Sequence, residues 1–204
     1  MFLDLSGKVI KMLRLECKEL SKLHILPNAI TYVNMALGAI AIFISADSSP
    51  VNITIASILI LIAGITDKLD GYVARRLGAC SKFGKELDSL CDLVSFGIAP
   101  VVLWWNINKG LLGAAEIMVS LFFIGGGIFR LARYNITQED KYIEGLPITI
   151  AGMVMGGKHL LDVNHRLSFV GGSTMNIENI LIMVLLSILM ISSFKIKKPF
   201  WEHI

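Results

Sequence analysis

Charged residues are scarce in this sequence, and their scarcity decides the class of protein. Aspartate, glutamate, lysine and arginine make up 17% of the 204 residues, whereas about 25% is usual in a soluble domain. Hydrophobic residues make up 54%, and the mean hydropathy is +0.69. This balance excludes an ordinary soluble domain with a large core and indicates an integral membrane protein.

Cysteine and histidine are also few. The three cysteines, Cys17, Cys80 and Cys91, lack metal-site spacing, so we expect free thiols. The four histidines are scattered and show no ligand pattern. The formal net charge is +3, and the basic residues cluster near the ends of apolar segments, so we expect no nucleic-acid partner.

Apolar segments recur along the chain, and several approach the ~20 residues that cross ~30 Å of hydrocarbon. They predict an all-α, polytopic membrane protein with a six-helix transmembrane domain at 27–196 and a cytosolic tail at 197–204. Glycines recur within the segments, which indicates close helix packing within one chain or between two copies in a homodimer. The predicted spans are 28–46, 52–77, 84–106, 111–134, 145–161 and 177–194.

Residues 1–22 predict an N-terminal amphipathic helix that does not span the membrane. At 100° per residue, leucines, a valine and a methionine occupy one face and five basic residues the other, although Glu16 interrupts the apolar face. Such a helix lies in the membrane interface with its lysines towards anionic headgroups. Packing on the protein's own cytosolic face explains the pattern equally well.

Lysines and arginines are concentrated on alternate sides of the predicted spans. They are dense before the first span, at 75–85, at 130–141 and after the last span, and sparse in the other loops. The positive-inside rule therefore predicts cytosolic termini, as six spans also require. We expect a multi-pass protein of the cytoplasmic membrane.

Four aspartates lie in or beside these apolar segments. Asp67 and Asp70 share one face of the second predicted helix, and Asp88 and Asp92 share one face of the third. Two antiparallel helices joined by the short link 78–83 bring both faces together near the cytosolic surface. Because a carboxylate in hydrocarbon costs several kcal/mol, four of them need a compensating partner.

Oxygen ligands of this kind favour a hard divalent cation, Mg²⁺ or Mn²⁺, with open positions for substrate phosphates. Gly71 and Ala74 leave the helix surface thin beside the acids, as a nucleotide would require, and Arg75 suits a phosphate. A structural alternative is that the acids form ion pairs with nearby lysines and arginines.

The spacing D-x2-D-G-x2-A-R-x8-G-x3-D-x3-D runs from Asp67 to Asp92 and resembles the signature of the CDP-alcohol phosphotransferase family. The resemblance implies a six-helix membrane enzyme that moves a phosphatidyl-type group from a CDP-activated lipid to an alcohol and releases CMP. It also implies that Asp92 is the general base. The implied metal ligands are Asp67, Asp70, Asp88 and Asp92, and the implied CDP-binding residues are Asp70, Gly71, Ala74, Arg75 and Gly84.

A second polar cluster follows the fourth predicted span and contains Arg130, Arg133 and Asn135. An arginine fork binds a carboxylate or a phosphate by paired hydrogen bonds, although arginines at a span end also reach for headgroups. The run from Arg130 to Asn135, with Gly145-Leu146-Pro147, resembles the phosphatidylserine synthase branch of the family. It departs from that pattern at Tyr134, where phenylalanine is common, and at Thr149, where a second proline is common.

That resemblance implies L-serine as the acceptor, with its carboxylate on Arg130, Arg133 and Asn135. At the start of the first span, Asn28 and Thr31 either bind the nucleotide or cap the helix. Two other functions stay open: a sister transferase for inositol phosphate or glycerol phosphate, and a divalent-cation transporter that uses the aspartates as its pathway.

Overall fold

The computed structural model describes residues 27–78, 81–108, 113–136, 142–168 and 174–197. The predicted helix at 1–22 lies outside these residues, as do Cys17 and Cys80. The helices are α1 (Pro27–Ser45), α2 (Pro50–Arg76), α3 (Lys82–Asp92), a π-helical turn (Leu93–Ile98), α4 (Ala99–Ile107), α5 (Ala114–Ile136), α6 (Ile148–Ser168) and α7 (Thr174–Ile191). The strands are β1 (Tyr142–Glu144) and β2 (Lys195–Lys197).

Four helical segments in the described part of the chain are long and apolar enough to cross a membrane. They are α1, α2, the continuous segment Lys82–Ile107 and α5. The remaining two predicted spans correspond to α6, which carries charged residues, and to α7, whose apolar stretch Ile177–Ile191 is shorter. The fold is therefore helical, as predicted, and it contains at least four candidate spans.

Local sequence signals explain where the two helices that carry the acids end and begin. α2 ends before Gly78, which adopts a positive φ of 59°. α3 begins after Ser81, whose hydroxyl accepts a hydrogen bond from the Gly84 N–H at 2.9 Å. The short link between them places the end of α2 beside the start of α3.

The π-helical turn is held between α1 and α6, because a glycine on each of these helices lets the backbones meet. A Cβ atom on Gly38 of α1 would lie 2.6 Å from the Cα of Ser95, and one on Gly152 of α6 would lie 2.7 Å from the Cα of Phe96. Real Cβ atoms do not approach other atoms this closely. Both positions therefore require glycine for this packing.

Buried polar groups also join α6 to α7, in a part of α6 that is distant from the four aspartates. Lys158 forms ion pairs with Asp162, on its own helix, and with Glu178 on α7. The Asp162 carboxylate also accepts a hydrogen bond from the Asn179 amide at 2.9 Å. Asp162 is thus buried with its charge compensated, as apolar surroundings require.

A short antiparallel β-ribbon was not predicted from the sequence. β1 pairs with β2 so that Glu144 faces Lys195, and the two side chains form an ion pair at 3.4 Å. Two backbone bonds lie beside this ribbon: the Gly145 N–H donates to the Phe194 carbonyl next to β2, and the Leu146 N–H donates to the Leu189 carbonyl of α7. Three residues a strand give no readable alternation, so the sequence pattern did not reveal the ribbon.

Candidate active site

Three of the four aspartates converge where α2 faces α3. One carboxylate oxygen from each of Asp67, Asp70 and Asp88 lies within 4.8 Å of the other two. Asp67 and Asp70 are one helical turn apart on α2, and Asp88 faces them from α3. Three carboxylate oxygens at this separation match the hard-oxygen donor set that Mg²⁺ and Mn²⁺ prefer.

Hydroxyl groups on the flanking helices hold two of these acids. Thr31 of α1 donates a hydrogen bond to Asp70 Oδ2 at 2.9 Å. Thr149 of α6 donates to Asp67 Oδ2 at 3.0 Å. The third acid differs, because Asp88 Oδ1 is buried without a hydrogen-bond partner among the described residues. A buried oxygen with no donor is costly unless a cation or ligand binds it, so the residues fit a divalent metal.

Asp92 lies one turn beyond Asp88, outside the group of three, and is only 5% exposed. Its carboxyl group lies beside that of Asp67. It also accepts a hydrogen bond from the Asn34 amide of α1 at 3.2 Å. The Ser95 hydroxyl, in the π-helical turn, donates in turn to the Asn34 carbonyl oxygen at 3.0 Å. Asp92 is therefore an oriented carboxyl group next to the three converging acids.

Two of the residues predicted to bind CDP, Gly71 and Arg75, lie on an open surface of α2 beside the acids, whereas Thr31 and Asp70 are buried. A Cβ atom on Gly71 would find only the Arg75 guanidinium nearby, at 3.4 Å, so this surface of α2 is uncovered. Arg75 itself is exposed, and Ala74 is half-buried. Across from them, a Cβ atom on Gly84 would lie 3.1 Å from Asn28 Oδ1, so the first turns of α1 and α3 are in contact.

Arg130 of α5 brings a positive charge to the acids. It is 8% exposed, interacts electrostatically with Asp67, Asp88 and Asp92, and its Nε lacks a hydrogen-bond partner in the described part of the chain. The Tyr134 ring lies under its guanidinium, 5.1 Å from Cζ to the ring centroid. Arg130 is thus held beside Asp92, and its Nε–H donates to no described protein group.

Arg133 and Asn135 were predicted to join Arg130, but the structure gives them other partners. The Arg133 guanidinium donates to the carbonyls of Met190, Ile191 and Ser192 at the end of α7, at 2.8 to 3.3 Å. The Asn135 amide donates to the Glu86 carboxylate and the Ser89 hydroxyl of α3, each at 3.0 Å. Residues 130 and 133 share a helix face, but their guanidinium groups contact different parts of the fold.

The sequence did not reveal which groups Thr149 and Ser95 contact in this site. Each is a buried hydroxyl residue in an apolar segment. A polar residue facing the interior of a membrane bundle is itself a signal of a partner, although the pattern cannot name that partner. The partners, Asp67 and the Asn34 carbonyl, lie 82 and 61 residues away in the sequence.

Comparisons with known proteins agree on one family. A sequence profile described as CDP-alcohol phosphatidyltransferase matches residues 24–197. An archaetidylserine synthase of Methanothermobacter thermautotrophicus is 34% identical over 181 residues, which cover 87% of this chain and 72% of that protein. A CDP-diacylglycerol–serine O-phosphatidyltransferase of Helicobacter pylori is 35% identical over 194 residues, covering 90% and 77%. One of the same name in Methanocaldococcus jannaschii is 34% identical over 177 residues, covering 87% and 76%.

Proposed function

Because the chain belongs to the CDP-alcohol phosphatidyltransferase family, we propose that it transfers a phosphatidyl-type group from a CDP-activated lipid to L-serine and releases CMP. The names of the relatives support serine as the acceptor, since each includes it. Those names include an archaetidylserine synthase and CDP-diacylglycerol enzymes, so the proposal covers CDP-diacylglycerol or its ether-lipid equivalent.

The observation that carries the serine assignment is the buried guanidinium of Arg130. Its Nε–H has no described protein partner, although burying such a donor unpaired is costly. A cation bound by the three acids would offset their charge and leave the arginine for an anionic ligand. The serine carboxylate is such a ligand, and binding it at Arg130 leaves the serine hydroxyl near Asp92.

Asp67, Asp70 and Asp88 would hold Mg²⁺ or Mn²⁺, which would neutralise charge on the pyrophosphate of the CDP-lipid. The nucleotide and its phosphates would lie on the uncovered surface of α2. The residues proposed to bind CDP are Asn28, Thr31, Asp70, Gly71, Ala74, Arg75 and Gly84.

Asp92 would act as the general base. Asn34 donates to one of its oxygens and fixes the carboxyl orientation. Asp92 accepts the proton of the serine hydroxyl while the serine oxygen forms a bond to the lipid-linked phosphorus. The bond from that phosphorus to the oxygen of CMP breaks, and CMP leaves with the bonding electrons. A base positioned in this way contributes typically 10²- to 10⁴-fold to the rate.

The proposal includes the predicted orientation in the cytoplasmic membrane. Six spans would place both termini and the active site on the cytosolic side, where the loops rich in lysine and arginine lie. CDP-lipid would enter laterally from the bilayer, and serine would enter from the cytosol.

The test is CMP release from a CDP-lipid, measured with serine, inositol phosphate, glycerol phosphate and water as acceptors. We expect release with serine alone. Arg130→Lys should raise the serine KM roughly tenfold or more with little change in the CDP-lipid KM, because lysine keeps the charge but loses the planar fork. Arg133→Lys, assayed at saturating Mn²⁺, is the matched control on the same helix, and we expect it to leave the serine KM unchanged.

Two outcomes would overturn parts of this assignment. CMP release with a phosphorylated acceptor and not with serine would make the protein a sister transferase. An unchanged serine KM in Arg130→Lys would place the carboxylate pocket elsewhere.

A further inference from the structure

We propose that Thr149 is a positioning residue for Asp67. We also propose that Arg133 holds the start of α6 where Thr149 can reach Asp67. The inference rests on the proposed function, since it concerns the metal that Asp67 would bind. Thr149 is the second residue of α6 and is 7% exposed. Its hydroxyl has one described acceptor, the Asp67 carboxylate.

The contact constrains the orientation of the Asp67 carboxylate. With Oδ2 accepting from Thr149, the carboxylate cannot rotate freely. Thr31 holds Asp70 in the same manner from the opposite side, through α1. Groups that orient a ligand in this way commonly contribute 10- to 100-fold to metal affinity.

The position of Thr149 depends on the segment that leads into α6. The N–H groups of Gly145 and Leu146 donate to the carbonyls of Phe194 and Leu189, at 2.9 and 3.0 Å. These bonds attach the chain immediately before Pro147 to the last turn of α7 and to the residue that precedes β2. Gly145 has a φ of +68°, which favours glycine.

Arg133 of α5 contacts the same turn and the same end of α7. Its guanidinium donates hydrogen bonds to three carbonyls at the end of α7 and forms an ion pair with Glu144 at 3.7 Å. A Cβ atom on Gly145 would lie 2.7 Å from Arg133 Nη2, so the arginine packs directly on this turn. Carbonyls at a helix C-terminus lack partners within the helix and attract a positive charge.

Arg133 therefore acts on the site through the backbone and without touching substrate. It joins the ends of α5 and α7 to the turn before α6, and four residues after that turn Thr149 meets Asp67. Lysine at position 133 cannot serve three carbonyls in a planar array. We expect Arg133→Lys to loosen the turn and weaken the hydrogen bond from Thr149 to Asp67.

The test is a Mn²⁺ binding isotherm of the purified full-length protein, followed by the electron paramagnetic resonance signal of free Mn²⁺. Thr149→Val removes the hydroxyl at nearly constant volume and should weaken Mn²⁺ binding roughly tenfold. Thr149→Ser retains the hydroxyl and should bind within about twofold of the native protein. Arg133→Lys should weaken binding by several-fold, but not further once Thr149→Val is present.

Native-like binding in Thr149→Val would overturn the inference, and additive effects of the two substitutions would overturn the link to Arg133. Thr149→Ala provides a second hydroxyl-free variant if the valine protein does not fold. Asp70→Asn separates this inference from the proposed function. If it leaves Mn²⁺ binding unchanged, the proposed metal site itself fails, whereas weakened binding in Asp70→Asn with native-like binding in Thr149→Val refutes only the positioning role.

Discussion

Gly38→Ala tests the close contact between α1 and the π-helical turn. The added Cβ atom would lie 2.6 Å from the Cα and 2.5 Å from the Oγ of Ser95, whereas ordinary contacts begin at 3.4 Å. The backbones must therefore separate by about 0.8 Å, because a buried Cα cannot rotate aside. Overpacking of this kind typically costs about 1–3 kcal/mol of stability.

The same displacement reaches the proposed base. Asn34 lies one turn before Gly38, and its amide donates to Asp92 at 3.2 Å while its carbonyl accepts from Ser95 at 3.0 Å. A shift of about 0.8 Å along these contacts lengthens them to about 4.0 and 3.8 Å, beyond hydrogen-bonding distance. Since a misplacement of about 1 Å can cost about 10²-fold in rate, we expect kcat for CMP release to fall by about that factor.

The measurement is steady-state CMP release, with thermal unfolding followed in the same detergent. Gly125→Ala is the matched control, because Gly125 is exposed on α5 and its Cβ would meet no atom within 4 Å. We expect the control to keep the native kcat. A native kcat in a folded Gly38→Ala protein would refute the argument that this contact positions Asp92.

Three further predictions concern the chemistry and the topology. Asp92→Asn should lower kcat by about 10²-fold or more with little change in CDP-lipid binding. Asp70→Asn should instead weaken metal-dependent nucleotide binding. Equal losses of nucleotide affinity in the two variants would remove the assignment of Asp92 as the base. Chelation of divalent cations should abolish CMP release, and Mg²⁺ or Mn²⁺ should restore it, so activity that persists in chelator would contradict a metal role for the acids. In a protein lacking Cys17, a membrane-impermeant maleimide should label Cys80 from the cytosolic side alone. Cys91 is buried and should not react. Labelling of Cys80 from outside would reverse the proposed orientation.

The family and the convergence of the acids were readable from local sequence. Asp67 and Asp70 lie within one helical turn, and a short link joins their helix to that of Asp88, so helical geometry alone brings them together. The signature from Asp67 to Asp92 predicted the family, and the profile match confirms that prediction. The helical class follows directly from composition.

Contacts between distant segments were not readable. Arg130 and Arg133 are three residues apart, and their spacing predicted a shared task. The end of α7, which Arg133 contacts, lies 57 to 59 residues further along the chain. The π-helical turn was equally hidden, since one extra residue per turn changes no local composition signal. Tertiary packing, which periodicity does not encode, decides each of these features.

The ribbon between β1 and β2 has a consequence for biogenesis. The two strands lie about fifty residues apart, so the partner of β1 leaves the ribosome after all the described helices. Chains are made from the N-terminus, and early segments pack first. We infer that a chain stopped before β2 already carries the four aspartates in the bilayer but lacks the ribbon, which is one of the contacts that hold the turn before α6. Full activity would then require β2, so a chain that ends before this strand would be inserted in the membrane with reduced activity.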